Sequence, residues 1–216
     1  RRAWLIAVAA VLLSVALGGA AALLVNRDRG GDPDRPGGTN VEAARPGPSA
    51  QATRQVTAGP PVAPNEIGPA PGWTVYEEAG RFHMFAPLGW LIEQDGTTTR
   101  FHEPDGPKVL TVNRWPVPGG NAMAAAQTKD TAWSAGTDGP PADYQRVDLR
   151  PVEYFGGGAE WEYTYTDPGT GPMRTVGRWF GRDGMCYAIS VSLPAYDVGA
   201  RTFYFGQLVG GFRPRP

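Results

Sequence analysis

Short alternating runs broken by glycine and proline turns, two stripes at helical spacing and an abrupt rise in aromatic content at Gly72 predict an α+β domain. The expected architecture is a largely antiparallel sheet with two main helices packed on it, preceded by one transmembrane helix and a disordered linker. Residues 1–25 are the expected anchor, residues 26–71 the linker and residues 72–216 the folded domain.

The anchor rests on Ala3 to Val25, 23 residues in which Ser14 is the only polar side chain. A helix rising ~1.5 Å per residue spans the ~30 Å hydrocarbon layer over that length. A secretory signal has a shorter apolar core ending at small residues, such as Gly18-Gly19-Ala20 here. The run continues through Leu23-Leu24-Val25, so a retained anchor is expected. Arg1 and Arg2 precede the span with no acid beside them, whereas Arg27 and Arg29 beyond it alternate with Asp28, Asp32 and Asp34. This asymmetry and the bulk of the downstream region put the N-terminus in the cytoplasm and the C-terminal domain outside a plasma membrane crossed once. An opening on "RRAW" reads as a cut through a longer polypeptide.

The stretch 26–71 carries nine prolines, many glycines and no aromatic residue. It cannot bury enough apolar surface to offset its ordering entropy and is expected to be a tether. Six of the seven tryptophans and every tyrosine and phenylalanine follow Gly72. "GWTVYE" and "GRFHMFAPLGWLIEQDG" read as strands turning at Gly80 and at Pro87-Leu88-Gly89. "TTTRFHEPDGPKVLTVNRW" reads as a hairpin with its turn at Pro104-Asp105-Gly106. "GGNAMAAAQTKDTAWSAG" predicts the first helix, with Asn121 as N-cap and Gly136 just past its end; Ala122, Ala126, Lys129 and Trp133 share one face.

In "AEWEYTYTD", Trp161, Tyr163 and Tyr165 alternate with Glu160, Glu162 and Thr164, the period of a half-buried strand. "MRTVGRWF" and "MCYAISVSLP" continue the meander, with Tyr187, Ile189, Val191 and Leu193 on one side. Phe205, Leu208, Val209 and Phe212 mark a terminal helix despite Gly206 and Gly210.

Charge excludes one class of partner. From Gly72 onward 13 basic side chains face 16 acidic ones without a basic cluster, so nucleic acid is not expected. Cys186 is the only cysteine, which rules out an internal disulfide and reads as a small buried hydrophobe.

No cofactor motif or catalytic constellation is expected. His83 and His102 with Glu103 fall short of the convergent ligand set a metal needs, and ordinary hydrogen-bonded histidines are expected. Glu160 and Glu162 share a strand face ~6.6 Å apart, a spacing that invites a glycosidase reading, but such pairs usually line a solvated face. Ser134 has no evident His and Asp partners. Gly119-Gly120-Asn121 opens a helix as a turn and cap, and "FGGGAEW" is either a flexible connection or a close-approach site for a ligand. Trp115, Trp133 and Trp179, at element ends or alternate strand positions, are the candidate ligand-binding residues, suited to lining a groove for sugar or peptide.

Together, "GWTVYEEAGRFHMFAPLGW", "FHEPDGPKVLTVNRW", "YFGGGAEWEYTYT" and "FGQLVGGFRP" resemble the extracytoplasmic C-terminal domains of actinobacterial receptor-type serine/threonine protein kinases. Those domains look like the PsbP-like fold, an antiparallel sheet with helices packed on it. The resemblance runs from Gly72 to Pro214 and carries no phosphoryl-transfer residue, since the kinase loops are missing from these residues. It implies a non-enzymatic sensory or ligand-binding module, with a kinase domain expected before Arg1, a peptide, glycan or protein of the cell envelope as ligand, and dimerisation on signalling. Two other readings remain open: a stand-alone envelope protein with hydrolase activity, and a structural spacer.

Overall fold

The computed structural model describes residues 54–59, 68–116 and 121–215, which belong to one compact unit, Thr53–Pro216. The anchor Ala3–Val25 lies outside the described residues, among which no helix is long and apolar enough to cross a membrane.

The strands in chain order are β1 (Arg54–Gln55), β2 (Trp73–Glu78), β3 (Phe82–Pro87), β4 (Leu91–Asp95), β5 (Thr98–His102) and β6 (Val109–Pro116), followed by helix α1 (Ala122–Ser134). Then come β7 (Gln145–Val152), β8 (Gly158–Asp167), β9 (Gly171–Arg182), β10 (Met185–Pro194), helix α2 (Val198–Gly211) and β11 (Arg213–Pro214). The α+β expectation holds, and the sheet pairs are antiparallel throughout. The strands divide into two sheets where the sequence reading expected one. Eight run in the order β1-β4-β5-β6-β10-β9-β8-β7, and β11-β3-β2 form a smaller sheet.

The division follows from which strands carry apolar residues on successive positions. In β3, Phe82, Met84, Phe85 and Ala86 are all buried, so both faces of the small sheet need cover. One core lies between the large sheet and the layer formed by α2 and the small sheet. There Tyr187, Ile189, Val191 and Leu193 project together as period two requires, each at most 1% exposed. Phe180 stacks on Tyr187 at 5.3 Å, and Phe212 meets both rings. On the opposite face, α1 covers β7, β8 and β9 over a second cluster built on Ala126, Ala159 and Trp161.

Both helices begin at their caps. The side chain of Asn121 accepts from the amide of Ala124, that of Asp197 from the amide of Ala200, and Gly136 follows α1 at φ +72°.

The folded unit begins before Gly72, which corrects the linker boundary. Arg54 and Gln55 pair with Ile92 and Leu91, Val56 is buried in the main core, and Gly59 donates its amide to Thr74 Oγ1. One valine in a proline-rich stretch carries too little pattern to be read as a strand end. The sequence reading also left "QRVDLRPV" without an element, and it is β7, an edge strand largely exposed on both faces that tolerates Pro151 because one side needs no ladder bonds.

Candidate functional site

Three of the tryptophans, Trp115, Trp133 and Trp179, enter one aromatic ladder. Trp115 ends β6 and Trp179 lies in β9, on either side of β10; their partners there are Cys186 and Ala188. Small residues on β10 let the two indoles meet above it, edge to face at 5.3 Å. Trp179 then touches Trp161 at 5.6 Å, and Trp161 touches Trp133 of α1 at 5.3 Å. Trp161 is the link that sequence reasoning missed, since its alternation marked it only as a strand face.

The ladder is buried in its middle, at Trp161, and half-buried at both ends. Trp133 is pinned by its own helix and loop: its Nε1 donates to the carbonyl of Asp138, and the Lys129 ammonium sits 5.0 Å from its ring. Lys129 is itself buried and paired with Asp138 at 2.6 Å. Trp115 and Trp179 are half-buried and partly open to solvent, the condition of an aromatic surface that can stack on a ligand.

Near the Trp115–Trp179 end lies a cleft of about 350 Å³ lined by Asn121, Ala122, Met123, Phe155, Gly156, Gly157, Gly158 and Gly181. Met123 lines the cleft and also packs against the cluster built on Ala126, Ala159 and Trp161, and Gly181 of the lining is paired with Cys186, whose other neighbour is Trp115. The helix opening and the triple-glycine loop, separate features in the sequence, are thus brought to one place. The loop is held in an uncommon conformation: Phe155 has φ +51°, costly for a bulky side chain, and is kept there by Phe180 at 5.0 Å and Tyr154 at 4.6 Å. Tyr154 donates its hydroxyl to the carbonyl of Val209 in α2, and burial pushes its pKa up to about 12. A larger, more open cleft of about 660 Å³ lies elsewhere, between Gln55, Leu88–Trp90 and Glu103–Lys108.

The other candidates are placed away from this cleft. Glu160 pairs with Arg150 and with Arg178 at 3.1 Å; Glu162 pairs with Arg174 at 2.7 Å and with Arg201 of α2. Arg178 also lies over the Tyr154 ring at 5.0 Å. Each carboxylate is engaged by two guanidiniums from different elements, so the pair acts as an ion network joining β7, β8, β9 and α2.

His102 meets Glu93 at 2.9 Å on the large sheet, His83 lies on the small sheet, and Glu103 faces Lys108 at 3.1 Å. Among the described residues no group of three such side chains converges on a metal position. Cys186 is buried between Gly181 and Trp115, and burial pushes its thiol up to about 12, far from a nucleophile's range.

The geometry offers stacking surfaces and backbone groups, a set suited to holding a ligand. Comparison with solved structures returns remote likenesses. The solution structure of cyanobacterial PsbP (CyanoP) from Synechocystis sp. PCC 6803 aligns with TM-score 0.49 at 13% identity, covering 72% of this chain and 98% of that one. A putative regulator of unknown function from Pseudomonas aeruginosa aligns at TM-score 0.46 and 14% identity, covering 67% and 98%. LpqN of Mycobacterium tuberculosis, described as involved in cell envelope biogenesis, aligns at 0.42 and 12%, covering 76% and 91%. No curated protein matches. The serine/threonine kinase C-terminal domain family matches residues 74–214, nearly all of the folded unit, and the chain belongs to that family.

Proposed function

We propose that this chain is the anchored sensory end of a receptor-type serine/threonine kinase: Ala3–Val25 crosses the plasma membrane once, and the domain beyond it binds an envelope ligand and performs no catalysis. The kinase domain precedes Arg1. The observation that carries the reading is the half-buried Trp115–Trp179 pair with a glycine-walled cleft beside it, Gly181 and Trp115 flanking Cys186, within a domain of the kinase C-terminal family. The cleft is walled by glycine backbone, Met123 and Phe155, and Gly181 at its edge lies two residues from Trp179 in β9; backbone groups beside an indole recognise a sugar or peptide and contribute no nucleophile or base.

A proline- and glycine-rich tether transmits orientation poorly, so the ligand acts by gathering copies in the membrane. The test lengthens the tether of the full receptor by ten Gly/Ser residues within 26–52. Ligand-dependent kinase autophosphorylation is expected to stay within about twofold of the native receptor; its loss in that variant would refute signalling through clustering.

A further inference from the structure

Four of the five large apolar side chains most exposed among the described residues lie at one end of the fold: Leu88, Tyr196, Val198 and Phe203, between 43% and 86% accessible. Leu88 and Phe203 are neighbours through a shared aromatic group, and Tyr196 and Val198 flank the start of the helix that carries Phe203. Leu88 donates its amide to Gly72, the next residue, Trp73, meets Phe203 at 5.7 Å, and Phe203 meets Tyr204 at 5.7 Å. The patch continues along the outward face of α2, whose accessible positions Val198, Gly199, Thr202, Phe203, Gly206 and Gly210 bear no charge. A solvated helix face ordinarily carries charged or strongly helix-forming residues. The one cation in that part of the helix, Arg201, turns inward to Glu162.

We propose that this face of α2 is where two copies of the chain pair, helix against antiparallel helix about a two-fold axis. Self-pairing puts like against like, so a charged face repels itself and this uncharged one does not. The shape is also self-complementary. With the axis at the middle of α2, Phe203 of each copy lies opposite Gly206 of the other, and Gly199 opposite Gly210. A Cβ at Gly199, Gly206 or Gly210 meets nothing within 4 Å, so nothing inside the monomer calls for glycine there. At each of these positions glycine is about fivefold worse than alanine for helix formation.

Fourteen residues of helix span ~21 Å and cover less than the ~800 Å² per partner of a stable interface. The pairing is therefore weak in dilute solution and becomes effective when a membrane confines the copies. The proposal supplies the contact surface for the clustering read above, and it depends on that reading only for its signalling consequence.

Disulfide cross-linking of the full chain in lipid nanodiscs or native membranes, without added ligand, tests it. A G199C/G210C chain oxidised with copper phenanthroline should form covalent dimers at least tenfold faster than a V147C chain, whose exposed cysteine lies on β7. Gly206→Glu added to that pair should cut the rate at least tenfold while raising the thermal midpoint, because it places a better helix former in open space. Trp179→Ala should cross-link like the parent even if ligand binding fails. Rates equal to V147C, indifference to Gly206→Glu, or adducts of a mass other than twice the chain would each overturn the pairing.

Discussion

At Gly211 a Cβ would stand 2.3 Å from the Cγ of Phe85, inside the main core, whereas at Gly206, one and a half turns earlier, it would meet nothing within 4 Å. Alanine is the better helix residue at both positions by about 1 kcal/mol. At Gly211 overpacking outweighs that gain, and Gly211→Ala is expected to destabilise the fold by about 1–3 kcal/mol. Gly206→Ala in the monomer should stabilise it by about 0.5–1 kcal/mol. Urea denaturation midpoints of the two variants against the native chain give both signs. The sequence reading counted Gly206 and Gly210 as departures from helix propensity and did not single out Gly211. What separates a glycine that makes room from one that faces space is Phe85, more than a hundred residues away, and spacing within α2 carries no record of it.

At the scale of elements, α1 shows which signals are local. Its N-cap, its terminating glycine and the face of Ala122, Ala126, Lys129 and Trp133 were all legible, because each acts within a few residues of its own position. The burial of charge on that face was not. Lys129 and Asp130 are 3% and 4% exposed, and their partners Asp138, Tyr144 and Arg146 come from the following loop and β7.

Replacing Asp138 by Asn keeps a residue that tolerates its φ of +59° but leaves the Lys129 ammonium buried without a counter-charge. Asp138→Asn is expected to cost about 2–3 kcal/mol, and Lys129→Met in the same chain should restore most of it. A double-mutant cycle by chemical denaturation measures the coupling. The edge strand β7 escaped the sequence reading for a related reason. An exposed edge has no buried side to impose alternation, and Pro151 reads as a breaker until one free edge is known to exist.

For the molecule as a whole, the α+β class, both helices and the hairpins were legible because a deep core imposes strict periodicity on β8 and β10 and a stripe on α2. The second sheet, the early start at Arg54 and the joining of the tryptophans into a ladder depend on contacts across long separations. Trp115 and Trp179 were singled out as binding residues, but only the register of β6, β10 and β9 explains why they touch. The same register sets Glu160 opposite Arg178, which turns a carboxylate pair suggestive of hydrolysis into part of an ion network.

Recognition without bond-breaking is the claim on which the functional account rests. It is tested most directly by mass spectrometry of what the full chain in detergent micelles retains from a solubilised mixture of cell-envelope glycan and peptide fragments. Bound fragments should emerge with the masses they entered with, and Trp179→Ala should retain less than about a tenth as much, as loss of an aromatic stacking surface predicts. Cleaved fragments, or retention unchanged by Trp179→Ala, would contradict it.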